Sequence, residues 1–139
     1  MAPAGRALRP TADRVREAVF NVLQHGGPGG DNGSIEGARV LDGFAGTGAM
    51  GLEALSRGAG HVTLMECDRT ALACCRDNVA ALDAAEQVTV LGGDCLNPVR
   101  PAAPCTLVFL DPPYGSGVAP KALSALRDAG WIADDAPCV

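Results

Sequence analysis

The chain predicts an α/β fold, a parallel sheet doubly wound with helices on both faces, and three observations carry that expectation. From about residue 39 onward, short apolar runs of strand length alternate with stretches of helical spacing in a βαβαβ order. The connections are short, which favours right-handed crossovers between parallel strands. The residues able to do chemistry fall just after the apolar runs, where a parallel sheet presents the carboxyl ends of its strands to ligands.

Taken in order, Val15, Val19 and Val22 recur at helical spacing after Pro10-Thr11, with Ala18 and Leu23 beside them. They predict an amphipathic helix that stops at Gly26-Gly27. The stretch from Gly26 to Gly37, GGPGGDNGSIEG, reads as a flexible loop. Val40-Leu41 then begins the alternation, followed by a helix from Ala49 to Arg57, a strand from Val62 to Met65 and a helix from Arg69 to Leu82. Strands from Val88 to Leu91 and from Thr106 to Leu110, and a helix from Ala119 to Ala129, complete the series. The chain reaches Pro137-Cys138-Val139 as a fifth strand would begin, so the sheet is expected to be truncated after its fourth strand, with an exposed edge. The expected organisation is one domain over 1–139: an N-terminal segment and helix (1–25), a glycine-rich loop (26–38) and the α/β core (39–139).

Composition narrows the function classes. A chain of 139 residues is large enough to bury roughly two thirds of the surface its unfolded form exposes. Eleven basic residues against sixteen acids give a net charge of −5, which argues against broad attraction to nucleic acid. Arg6, Arg9, Arg14 and Arg16 are a local exception, and a polyanion contact would start there. No apolar stretch approaches the ~20 residues that span a bilayer, and no signal-peptide core is visible, so a cytoplasmic protein is expected. The six cysteines (Cys67, Cys74, Cys75, Cys95, Cys105, Cys138) form no C-x-x-C pair and have no histidine at ligand spacing. They read as small apolar fillers, with no metal site. His25 and His61 read as surface or boundary residues.

The first strand runs into Asp42-Gly43-Phe44-Ala45-Gly46-Thr47-Gly48-Ala49-Met50-Gly51, a turn in which backbone can approach a ligand closely. Gly46, Gly48 and Gly51 satisfy G-x-G-x-x-G, and Glu66 lies twenty residues past Gly46, where an acid would meet ribose hydroxyls. Taken alone, this would fit NAD. The third strand ends at Gly92-Gly93-Asp94, which places a second acid where an adenine amine could be held. A pyrophosphate would be poorly served by Asp42 beside the glycine turn, whereas the cationic methionyl group of S-adenosylmethionine tolerates surrounding acids. Charge sign therefore favours the methyl donor.

After the fourth run, Leu107 to Leu110, comes Asp111-Pro112-Pro113-Tyr114. An exocyclic amine is a poor nucleophile because its lone pair is delocalised into the ring, and a fixed acceptor beside the nitrogen localises that pair. Asp111 and the Pro112 carbonyl could be such acceptors, held by stiff prolines, while Tyr114 offers a ring face for stacking. A strand-to-loop exit of ordinary turn residues would look similar.

At this point the chain resembles the RsmD-like family of bacterial methyltransferases, which act on the exocyclic N2 of a guanine in 16S ribosomal RNA. The strings that carry the resemblance are Arg9-Pro10-Thr11-x-Asp13-Arg14-Val15-Arg16-Glu17, Val40 to Ala49, Gly51 to Ala59, and Asp111 to Gly115. The first and third are specific to the family, and the others are shared with many amino-methyltransferases. The resemblance implies a Rossmann-like class I S-adenosylmethionine-dependent methyltransferase. It also implies cofactor contacts at Thr11, Asp42, Phe44, Gly46, Gly48, Glu66, Asp94 and Cys95, and a target-base pocket at Asp111, Pro112, Pro113 and Tyr114. Thr11, Asp13 and Arg14 would help to close the cofactor site. The implied partner is ribosomal RNA or the small ribosomal subunit, with neither membrane nor metal, and full-length relatives are expected to be monomers. Two positions depart from the family pattern: Gly43 stands where a larger apolar residue is usual, which is expected to loosen the strand end, and Cys95 stands where alanine is common.

The expected chemistry is methyl transfer to an amine held by Asp111 and the Pro112 carbonyl, with orientation supplying much of the rate. A base inside a duplex could not reach such a pocket, so the target must be single-stranded, looped or flipped out. Other readings stay open on the residues: a methyltransferase for adenine N6, cytosine N4 or protein glutamine, a nicotinamide oxidoreductase, or a cofactor-binding remnant that transfers nothing.

Overall fold

The computed structural model describes Phe20 and residues 35–112, 117–134 and 136–138. Four strands, β1 (Arg39–Gly43), β2 (His61–Glu66), β3 (Val88–Gly92) and β4 (Leu107–Leu110), form one sheet in the order β3-β2-β1-β4 with every pairing parallel. α1 (Ala49–Ser56) connects β1 to β2, α2 (Arg69–Ala81) connects β2 to β3, and α3 (Val118–Ala129) follows β4. The chain steps outward from β1 to β3 and then returns to the other side of β1. That reversal opens a crevice at the carboxyl ends of β1 and β4, the place where such sheets hold ligands.

Side chains alternate across the sheet, and the two faces bury separate cores. Val40, Val62, Leu64, Val88, Leu107 and Phe109 pack with Leu52 and Ala54 of α1 and Cys75 and Val79 of α2. Leu41, Met65 and Val108 pack on the other face with Ala122 and Leu126 of α3 and with Trp131. The doubly wound arrangement expected from the sequence is therefore observed. Each fully buried aliphatic or aromatic side chain contributes roughly 1.5–3 kcal/mol, so these two layers supply most of the folding drive.

Phe20 is helical and fully buried on the α1–α2 face, with its ring 5.2 Å from that of Phe109 at a tilt of 50° and the Arg57 guanidinium 5.3 Å over it. The rest of the expected N-terminal helix lies outside the described residues.

The element boundaries follow local chemistry. β1 is longer than Val40-Leu41: His61 pairs with Arg39 on one side, and parallel partners on both sides draw in Asp42 and Gly43, residues of low intrinsic strand preference. β4 starts one residue later than expected: the Thr106 amide donates to the Arg39 carbonyl at 2.8 Å, but the Arg39 amide turns to the Thr106 hydroxyl at 3.2 Å. Asp68 caps α2 through its side chain, which accepts from the Ala71 amide at 2.9 Å. α3 closes on Gly130 at φ +96°, a left-handed residue suited to glycine.

Two expectations need correction. The end of the glycine-rich loop is anchored rather than flexible, because Ile35 is 1% exposed in the core and the Gly37 amide donates to the Gly58 carbonyl at 2.8 Å. The outer edge of β4 is also partly covered. Isolated parallel bridges join Cys105 to Ile132 and Val108 to Cys138, and the Val108 amide donates to the Pro137 carbonyl at 3.0 Å. Of the cysteines, Cys75, Cys95 and Cys105 are buried fillers as expected, whereas Cys67 and Cys138 are exposed.

Candidate functional site

The turn from β1 into α1 is built around glycines with distinct tasks. A Cβ on Gly51 would lie 2.5 Å from Leu64 Cδ2 and 2.7 Å from Val62 Cγ1, so Gly51 lets α1 press against β2. Gly48 caps α1 at φ +84°, and a Cβ there would meet Leu64 Cδ1 at 2.8 Å. Gly46 has φ +61° with open space where its Cβ would stand, which leaves that part of the turn accessible to a ligand. Phe44 holds φ +57° without being glycine, an uncommon backbone state that concentrates at functional turns.

Glu66 closes the turn from the end of β2. Its Oε1 accepts from the Gly46 amide at 2.8 Å, and its Oε2 accepts from the Cys67 and Asp68 amides at 3.1 and 2.9 Å. A carboxylate offers about four lone-pair positions, so one remains for a ligand hydroxyl. Asp94 is exposed just past β3, where its Oδ1 accepts from the Leu96 amide at 2.9 Å and fixes the carboxylate in its own turn. Gly93 beside it is also open where a Cβ would stand, and its amide donates to the Glu66 carbonyl at 3.1 Å. Glu66 and Asp94 therefore flank one rim of the turn.

Asp42 lies behind the turn. It is 2% exposed, and its Oδ2 accepts from the Gly51 amide at 2.9 Å, tying the first turn of α1 to β1. Burial pushes its carboxyl up to about 7; the Gly51 hydrogen bond opposes this, and the neighbouring carboxylates of Asp111 and Glu66 add to it. Glu66 and Asp111 therefore set negative charge around Asp42, with Asp111 exposed at the end of β4. That charge suits a cationic ligand and opposes a pyrophosphate.

The structure thus brings Asp42, Phe44, Gly46, Gly48, Glu66, Asp94, Asp111 and Pro112 to the carboxyl edge of the sheet. Thr11, Asp13, Arg14, Pro113 and Tyr114 lie outside the described residues. Cys95 is 3% exposed, and its sulfur lies 3.3 Å from where a Gly43 Cβ would stand. Leu110 Cδ2 would be 2.7 Å from the same point. The strand end is therefore filled rather than loosened: Cys95 and Leu110 occupy the room that a larger residue at 43 would take. Gly43 keeps its place in the ladder opposite Met65 and Leu110.

Sequence reasoning missed two residues of α2. Cys75 Sγ donates to the Gly46 carbonyl at 3.0 Å, and Asn78 Nδ2 donates to the Thr47 carbonyl at 2.8 Å. They are three positions apart on one helix face, a spacing that carries no motif. Among the described residues no group of three or more His, Cys, Asp or Glu side chains could hold a metal ion, and no helix is long and apolar enough to cross a membrane.

A family model described as Conserved hypothetical protein 95 matches residues 1–139. The chain is 40% identical over 134 residues to the ribosomal RNA small subunit methyltransferase D of Escherichia coli strain K12, covering 96% of this chain and 64% of that protein. It is 38% identical over 133 residues to the protein of the same name from Haemophilus influenzae, covering 93% of this chain and 65% of that one. The solved structure of yhhF from Escherichia coli superposes with a TM-score of 0.79 at 38% identity, covering 99% of this chain and 71% of that chain. The chain thus spans just under two thirds of the length of these curated relatives.

Proposed function

The chain belongs to the Conserved hypothetical protein 95 family, and from that premise we propose that it takes part in S-adenosylmethionine-dependent methylation of small-subunit ribosomal RNA, at the exocyclic N2 of a guanine. The observation that carries the proposal is the crevice itself. An open glycine turn, bounded by Glu66 and Asp94, sits in a field of carboxylates with Asp111 across the switch point. The names of the relatives support RNA as the substrate class. The strings that resemble the RsmD-like family support guanine N2.

The residues present fit the methyl donor. When bound, S-adenosylmethionine supplies an electrophilic methyl on a sulfonium centre. Glu66 keeps one acceptor position for a ribose hydroxyl, exposed Asp94 can accept from an adenine amine, and open Gly46 lets the backbone approach the ligand. Asp42 holds the turn from behind through the Gly51 amide, while Glu66 and Asp111 contribute the negative field that favours a cation. Asp111 and the Pro112 carbonyl accept hydrogen bonds from the target amine, localising its lone pair, and exposed Asp111 can release the departing proton to water. Such a substrate places the reaction in the cytoplasm, with ribosomal RNA or the small ribosomal subunit as partner.

The test is mass spectrometry of nucleosides from unmodified small-subunit RNA or particles incubated with the chain and the methyl donor. N2-methylguanine should form with the parent and vanish with Asp111→Ala, while S-adenosylhomocysteine still binds the variant. Formation of a different methylated base would reassign the target. A parental rate from Asp111→Ala would remove Asp111 from the mechanism.

A further inference from the structure

We infer that Cys75 and Asn78 are positioning residues for the cofactor turn, holding it in its binding shape from the helix behind it; this rests on the cofactor reading given above. Elsewhere the turn is fixed through its amide hydrogens: Glu66 accepts from Gly46, the Ala45 carbonyl from Gly48, and Asp42 from Gly51. Its carbonyls at Gly46 and Thr47 are engaged instead by the Cys75 thiol and the Asn78 amide. Both donors come from one face of α2, whose first turn is pinned by the Asp68 cap two residues after Glu66. One short segment, Glu66 to Asn78, therefore grips Gly46 from both of its polar groups and Thr47 from its carbonyl.

That arrangement has two consequences for the turn. The Gly46 and Thr47 carbonyls are satisfied by α2, so they are not left as free acceptors in the turn. The left-handed Gly46 and Gly48 are also held against relaxation. Cys75 is fully buried, so its thiol acts as a donor within the fold and not as a reactive group. Asn78 is the stronger lever, because an amide N–H is a better donor than a thiol and its replacement by aspartate would set an acceptor against the Thr47 carbonyl.

The experiment compares the parent with Asn78→Ala, Asn78→Asp and Cys75→Ala by hydrogen exchange at the Gly46 and Gly48 amides and by calorimetric affinity for S-adenosylhomocysteine. Thermal melts confirm that each variant is folded. Exchange at those amides should quicken by roughly tenfold in the alanine variants and more in Asn78→Asp, with affinity falling in the same order. Cys75→Ser, which keeps a donor, should recover part of the loss. Unchanged exchange in folded variants overturns the inference whatever the ligand does. If the parent itself binds no S-adenosylhomocysteine, the cofactor reading fails, and exchange alone still decides whether Cys75 and Asn78 hold the turn.

Discussion

Replacing Asp42 by asparagine should make the folded chain more stable at neutral and alkaline pH, although it alters a residue at the centre of the site. The carboxyl is buried at 2% exposure, and its proton is held to about 7 instead of its ordinary 3.8. Between those two values the folded state keeps a proton that the unfolded chain has released. The contribution of this group is therefore fully present below about pH 3.8 and is lost as pH rises through about 7. At about 1.4 kcal/mol per pH unit, the loss comes to on the order of 4 kcal/mol, a large share of the about 5–15 kcal/mol that holds a typical domain folded. Asparagine keeps an oxygen for the Gly51 amide, now 2.9 Å from Oδ2, and carries no charge to desolvate. Urea denaturation of both proteins from about pH 4 to about pH 8.5 isolates the Asp42 contribution as their difference. That difference should grow in favour of Asp42→Asn by about 1.4 kcal/mol per pH unit up to about pH 7 and then level off. A difference that stays flat, or an asparagine variant less stable than the parent at the alkaline end, would refute the burial argument.

Other perturbations separate architecture from binding. Gly51→Ala forces a methyl into Leu64 and Val62 at 2.5 and 2.7 Å, and should lower stability in a circular-dichroism melt by about 1–3 kcal/mol. Gly46→Ala meets no protein atom within 4 Å, so its melt should shift only by left-handed strain of about 1–2 kcal/mol, while calorimetric affinity for S-adenosylhomocysteine drops roughly tenfold or more. Glu66→Gln has one acceptor oxygen for three amides, and should lose about 1–3 kcal/mol in urea denaturation together with most cofactor affinity.

Much of the site was legible because it depends on backbone punctuation. The spacing of Gly46, Gly48 and Gly51 after an apolar run marked the turn, and the structure shows why two of them are fixed: Gly48 and Gly51 leave no room for a Cβ against Leu64. The acids at the strand ends were likewise found by position. What escaped was information held between elements. Cys75 and Asn78 reach loop carbonyls about thirty residues away, and a helix face of mixed polarity gives no sign of its partner. The burial of Ile35 was hidden by its glycine-rich surroundings, since composition describes a segment and not the side chain that anchors it. The fit of Cys95 beside Gly43 emerged only when β1, β4 and the segment after β3 met in space. The pairing of Trp131 to Ala133 with Cys105, just before β4, and of Cys138 with Val108 was hidden for the same reason.

The most direct measurement is calorimetric titration of the purified chain with S-adenosylhomocysteine, with NADH titrated in parallel under the same conditions. The crevice described here predicts saturable binding of S-adenosylhomocysteine and none of NADH, from a chain that melts cooperatively. Binding of NADH in its place, or a cooperative melt with no binding of S-adenosylhomocysteine, would contradict the assignment of the glycine turn and its acids to the methyl donor.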